Sequence, residues 1–373
     1  MRKILKNEGV QSLLTSLICI IVGMFVGYLV LLLIEPTGAF EAITSVAKNF
    51  LGYSRTNMQL KHLGTTLAKT APLIMCSLSI LFSYKVGLFN IGAAGQYVMG
   101  ACACLYGALG FGWGWLPCLL FAAFAGAAFG VITGALKAYC NVNEVISGIM
   151  LNWIGLYFTN MVLTNVKDAS SAYTYALKAK GKDAILPTLG LEEFFSGNKY
   201  VGIAIPLAII FAILVWVVLN KTKFGYELKA TGYNKNAAKY CGMAEKRNII
   251  VSLAISGALA GLAGAFLYQT DIEQWQVTIS SVPAMGFNGI AAAFLGGLNP
   301  IGAIFSSFFI QHITEGGTHV DLTIYCSQIS ELISALIIYL CGFVGFLKML
   351  INTSLAKSEE KHARKKAEKG GDK

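Results

Sequence analysis

The sequence predicts an all-helical, polytopic membrane protein, and three observations carry that prediction. Only 13% of the 373 residues are charged, about half the share found in an average soluble domain. Hydrophobic residues make up 55% of the chain, and they gather into long runs instead of alternating with polar ones. The first run, Ser12 to Ile34, holds no charged side chain; at about 1.5 Å per residue it makes about 35 Å of helix, enough to cross a hydrocarbon core of about 30 Å.

Further apolar stretches predict spans near residues 64–83, 88–110, 113–136, 144–164, 201–219, 249–269, 283–297, 301–314 and 324–347, ten with the first. The eighth and ninth are short and separated only by Gly296 to Pro300, so they also read as one re-entrant element. Arg2, Lys3 and Lys6 give the first run a basic front, as in a signal peptide, but the run is too long and no A-x-A-like cleavage site closes it.

Charge sets the expected orientation. With the amino terminus inside, twenty of the 29 Lys and Arg residues fall on the inner side, seven of them between Lys221 and Arg247 and eight from Lys348 onward. That asymmetry favours an even span count with both termini cytoplasmic. The expected organisation is a cytoplasmic amino terminus (1–11), a transmembrane domain (12–347) with an external loop at 165–200 and a basic internal loop at 220–248, and a basic tail (348–373). The net charge of +10 therefore sits in loops and a tail that meet lipid headgroups, not on a folded face that would read nucleic acid.

Several chemistries are excluded. The nine cysteines are scattered without a Cys-x-x-Cys pair, and the four histidines lack metal-ligand spacing. No G-x-x-x-x-G-K-[ST] phosphate loop, H-E-x-x-H pair or G-x-S-x-G elbow occurs, so the chain is not expected to be an enzyme or to bind a cofactor.

Ten spans divide into two sets of five, and an odd-numbered half duplicated in one membrane has inverted topology. Leu88-Phe89-Asn90-Ile91-Gly92-Ala93-Ala94-Gly95 in the third span is echoed by Gly286-Phe287-Asn288-Gly289-Ile290-Ala291-Ala292-Ala293 in the eighth. The paired Asn90 and Asn288 read as pathway lining, whereas Gly126-x-x-x-Gly130-x-x-x-Gly134 and Gly257-x-x-x-Gly261 read as close helix packing. Gln96, Asn143, Asn152, Asn160 and Gln311 need hydrogen-bond partners at membrane depth. Glu331 could pair with Lys69, face a wet cavity or be protonated. Phe89, Trp153, Tyr157 and Phe287 either stack on a planar solute or pack between helices, the latter being the commoner role, while Trp113, Trp115 and Trp275 suit an interfacial belt.

Three stretches resemble the permease subunits of bacterial ABC importers for nucleosides and simple sugars, relatives of the branched-chain amino acid permeases. Tyr84 to Gln96 is similar to the GLFNIGxEGQ segment, Asn143 to Asn152 to the NEVIxxIMLN segment, and Phe224 to Gly261 to the loop by which such permeases dock on their ATPase. The resemblance runs from about Leu63 to Gly302, with two departures: Ala94 replaces a usual acidic residue and Asn288 a common aspartate, which makes the pathway less acidic. It implies a translocation pathway lined by Phe89, Asn90, Gln96, Asn143, Asn152, Phe287 and Asn288, and ATPase docking through Gly225, Glu227, Ala230, Gly232, Ala237, Ala238 and Gly242. It also implies four associations in the bacterial plasma membrane: an ATP-binding subunit carrying ATP and Mg, a second permease (a homologue or a copy of this chain), an external substrate-binding protein or lipoprotein near 165–200, and lipid. Nucleosides are the first expected substrate, ribose or galactose the second. The rival expectation, a stand-alone ion-driven carrier or channel for a small polar solute, accounts for Glu331 but leaves the docking-like loop idle.

Overall fold

A computed structural model of the chain describes residues 8–320 and scattered positions beyond them up to residue 353. Among the described residues the fold is helical, and its only extended pairings are two isolated bridges, Lys167 with Thr174 and Tyr173 with Gln276. The helices in chain order are α1 (Glu8–Ile34), α2 (Ala39–Lys48), α3 (Thr56–Tyr84), α4 (Ala93–Leu109), α5 (Trp115–Cys140), α6 (Glu144–Leu163), the single turn α7 (Leu191–Phe194), α8 (Ala204–Lys221), α9 (Lys223–Tyr233), α10 (Lys235–Tyr240), α11 (Glu245–Tyr268), α12 (Ala284–Leu295) and α13 (Pro300–Gly317). Five of them, α3, α5, α6, α8 and α11, are long and apolar enough to cross a membrane. Most of the predicted tenth span, Glu331 included, residues 1–7 and nearly all of the tail lie outside the described residues.

Side chains that satisfy free backbone N–H groups fix where helices begin. Asn143 accepts from the Val145 N–H to start α6, Thr222 from Gly225 to start α9, Asn234 from Ala237 to start α10, and Asn299 from Ile301 to start α13, where Pro300 takes the first position. The turn between α5 and α6 is made by Asn141 in a left-handed conformation (φ 52°).

The bundle is built around α3 and α11, whose apolar stretches are largely buried, while α5, α6 and α8 turn most of theirs outward. α11 packs on α5, α3 and α4. The small-residue motifs do what their spacing predicts: a Cβ at Gly126 would collide with the Gly257 carbonyl, and one at Gly257 with the Gly126 carbonyl. Removing side chains there lets the α5 and α11 backbones touch. A smaller cluster, including Leu31, Val46, Leu295 and Ile313, ties α1 and α2 to α12 and α13.

The bundle has two distinct ends. One carries α9 and α10 and is here called the basic end. The other, the cap end, carries residues 165–200, which form an ordered cover stitched to the chain after α11. Thr174 N–H donates to the Trp275 carbonyl (2.9 Å), Val277 N–H to Ala172 (2.9 Å) and Leu186 N–H to Gln269 (3.0 Å).

Candidate functional site

Of the apolar sequences at 88–110 and 283–297, the first is helical only from Ala93 and the second forms the short helix α12, and each helix follows irregular backbone. After α3 the chain turns back as irregular backbone through Leu88, Phe89 and Asn90 before α4 begins at Ala93, and after α11 it runs irregularly from Thr270 to Pro283 before α12 begins. Gly95 N–H donates to Asn152 Oδ1 (2.7 Å), and Asn152 has eight residues of α6 before it and eleven after it, so α4 starts near the middle of the bundle. It ends at the cap end, where Gly181 approaches the Ala108 carbonyl. α12 starts at the same height, Gly286 against Ala94, and runs the opposite way, to Phe294 beside Tyr84 at the basic end of α3 (5.4 Å between rings).

Irregular backbone at this depth needs internal partners, and a polar network supplies them. Asn90 Nδ2 donates to Gln96 Oε1 (2.8 Å) and to Ser256 Oγ (2.7 Å). Ser256 in turn bonds the Ser79 hydroxyl (2.9 Å) and carbonyl (2.7 Å). Asn152 Nδ2 donates to the Ile91 carbonyl (3.1 Å). Asn90, Gln96, Asn152, Ser79 and Ser256 are all buried. Ser256 lies midway along α11, with eleven residues before it and twelve after.

Of the seven residues expected in the pathway, the structure thus joins Asn90, Gln96 and Asn152 in one network. Phe89 is half-buried near Phe294 (6.3 Å). Asn143 caps α6 at the basic end. Phe287 and Asn288 lie on α12, with Phe287 exposed and Asn288 half-buried. The Ala94 methyl points at α12, where a Cβ on Gly286 would lie 2.8 Å from it, so the position that departs from the family pattern is a tight helix contact.

Charged side chains cluster at both ends. Towards the cap end Lys69 pairs with Glu315 (2.8 Å) and Glu273 (3.7 Å), and Gln311 Nε2 donates to the same Glu315 carboxylate (3.1 Å). Beside them Tyr53 stacks on His62 (4.1 Å), and His319 meets both edge-on. At the basic end Lys137 pairs with Glu144 (2.7 Å).

The basic projection is anchored by glycine. A Cβ at Gly232 would lie 2.6 Å from the Lys85 carbonyl and 2.9 Å from the Val86 carbonyl carbon, so α9 rests directly on the chain that leads to Asn90. Gly87 in that chain has φ 75°, a conformation glycine adopts without strain. Asn248 donates to Thr231 (3.0 Å) and Arg247 pairs with Glu227 (3.2 Å), fixing α9 to α11. Burial, with Lys229 nearby, holds Lys85 below the usual lysine pKa.

Among the expected docking residues, Gly225 is buried against Val218 and Leu219, Ala238 is buried, Glu227 is engaged by Arg247, Gly232 rests on the linker and Ala230 is half-buried; Ala237 and Gly242 are exposed. Three tyrosines project where the sequence reading singled out none: Tyr226, and Tyr233 and Tyr240 at 92% exposure each. Their spacing of seven residues was the available signal.

Apolar spans around a polar interior, with one ordered projection at an end, are the build of a membrane transport subunit. The chain belongs to the branched-chain amino acid transport system / permease component family, whose pattern matches residues 62–342. It is 32% identical to the guanosine ABC transporter permease protein NupP of Bacillus subtilis, over 89% of this chain and 93% of that one. It is 31% identical to the nucleoside ABC transporter permease protein NupB of Lactococcus lactis, over 97% and 100%, and 28% identical to the glucose ABC transporter permease protein TsgB13 of Haloferax volcanii, over 73% of each. No solved structure matches it significantly. The chain is thus a membrane-embedded permease component of an ABC transporter.

Proposed function

We propose that this permease carries nucleosides into the cell, driven by ATP hydrolysis on a separate subunit that docks at the basic end. The observation that carries the docking is the seating of α9 on Lys85 to Gly87, with Tyr233 and Tyr240 left nearly bare beyond it. A partner that seizes the tyrosines can move the linker, and the linker opens into the midplane network. The names of the relatives NupP and NupB support nucleosides as cargo, with simple sugars second.

The assembly includes a second permease, homologous or identical, and an external substrate-binding protein that delivers to the cap formed by residues 165–200. The basic end faces the cytoplasm of a bacterial plasma membrane, in keeping with its lysines. The antiparallel half-helices α4 and α12, each starting at mid-height after irregular chain, support a ten-span bundle of two inverted five-span halves. Asn90, Gln96 and Asn152 hold the turning chain in place, and Phe287 and Asn288 are the members of the predicted set that reach the pathway.

The test is a mild-detergent purification of the tagged chain from its native membrane, paired with labelled guanosine uptake by cells with and without the gene. An ATP-binding protein and a second permease should co-purify, and uptake should require ATP and survive an ionophore. A solitary chain whose uptake collapses with the ionophore would instead establish an ion-driven carrier.

A further inference from the structure

The irregular chain between α11 and α12 has an unusual arrangement for a membrane protein. Val277, Ile279 and Val282 turn inward onto the main core, while Gln276, Thr278, Ser280 and Ser281 are exposed. That is the alternation of an extended segment with water on its outer side. The membrane-facing helices do the reverse: α6 exposes Ile146, Met150, Ile154 and Met161.

The segment descends into the bundle. Asn160 clasps its upper part, accepting from Trp275 Nε1 (2.9 Å) and donating to the Ile279 carbonyl (2.8 Å). Seven residues later Gly286 lies against Ala94, next to the residue whose N–H is held by Asn152. Asn160 and Asn152 are eight residues apart on α6, a descent of about 12 Å. Ser280 and Ser281 therefore stand on non-helical backbone at the top of this drop, and Phe287, 38% exposed, stands at its foot. Hydrocarbon cannot solvate such backbone, which is tolerated only when buried in protein or lining a water-filled space.

We propose that Thr278, Ser280, Ser281 and Phe287 form the solute-facing wall of the outer half of the translocation pathway, the hydroxyls meeting a ribose and the Phe287 ring stacking on a nucleobase. The proposal rests on the nucleoside permease reading and deepens it. The chemistry suits an uncharged, ribose-bearing heterocycle: the wall offers three hydroxyls that both donate and accept, one aromatic face and no formal charge. Asn160 is a positioning residue that fixes the wall without being part of it.

The experiment introduces Ser280→Cys, Ser281→Cys and, as a lipid-face control, Ile154→Cys singly into the full transporter. Intact cells are then treated from outside with a charged, membrane-impermeant thiol reagent, with the parent chain as baseline. The Ser280→Cys and Ser281→Cys variants should be modified, lose uptake on modification, and be protected by guanosine, while Ile154→Cys stays unmodified. Phe287→Ala should raise KM for guanosine more than it lowers kcat. Thiols at 280 and 281 that resist the reagent in normally expressed protein would overturn the proposal, as would modification that leaves uptake intact or is not slowed by guanosine. Should the parent transport no nucleoside, the nucleoside reading fails by itself, and labelling still reports whether the wall is wet.

Discussion

At the scale of single residues, Asn90 is the side chain on which the midplane depends. It satisfies Gln96 and Ser256 at once, and both are buried beside irregular backbone. Asn90→Leu removes that donor and leaves Gln96 Oε1 unpaired, at a cost of about 1–3 kcal/mol, while Ser256 keeps its bonds to Ser79. The variant should unfold at a lower temperature in detergent and lose uptake; an unchanged melting curve would remove Asn90 from the structural role. The sequence singles out Gln96 and Asn152 because polar side chains in apolar runs need partners, and Asn90 through its echo at Asn288. It does not name Ser256 as the partner, because that residue lies 166 positions away and packing alone brings it near. His319, just beyond α13, gives a second residue-scale test. Burial holds its pKa below the ordinary value of about 6.5, outweighing the opposing charge of Glu315. The folded protein thus favours neutral imidazole edge-on to the stacked Tyr53 and His62 rings, and the unfolded chain binds the extra proton first. The stability from this contact is complete above about pH 6.5 and is lost as pH falls. Amide exchange in residues 312–320, corrected for its intrinsic pH dependence, should be faster at about pH 5.5 than at about pH 7.5, and His319→Phe should reduce the difference.

Among elements, the start of the half-helix α4 was the least legible. Leu88, Phe89 and Ile91 are as apolar as any helical residue, so hydropathy extends a span through them, while the structure spends them on a turn closed by side-chain hydrogen bonds. The ten-residue α2 is missed for the opposite reason: it is amphipathic and too short to register as a span. The glycine spacings of α5 and α11, in contrast, predict their own contact, since close approach needs only the absence of side chains along one face. The same logic makes Gly232 a probe of transmission. Gly232→Ala places a methyl against the Lys85 carbonyl, backbone against backbone, so α9 must lift from the linker. The ATP-binding subunit should still co-purify, because the exposed tyrosines are untouched, but uptake should fall and solute should no longer stimulate ATP hydrolysis. Full coupling in this variant would show that motion reaches the midplane by another path.

For the whole molecule, burial divides the bundle into a fixed centre, α3 and α11, and outward-turned helices that need lipid or protein around them. Charge asymmetry makes the basic end legible from sequence, but which loop residues face outward is decided by how α9 and α10 fold back. That folding buries Gly225 and Ala238, engages Glu227, and leaves Tyr226, Tyr233 and Tyr240 projecting from one end of the permease. Tyrosine is enriched among residues that dominate interface energies, because a large rigid ring is buried at low entropic cost. Nearly complete exposure of two such rings on an ordered, capped projection is a cost in isolation and a gain once a partner covers them. Replacing both by Ala removes the rings without touching any contact inside the chain, so the permease should keep its melting temperature. Its affinity for the ATP-binding subunit should drop by at least about 2 kcal/mol, about thirtyfold, measured with purified subunits in detergent, and uptake should be lost with it. Undiminished affinity in a well-folded double variant would move the docking face away from α9 and α10.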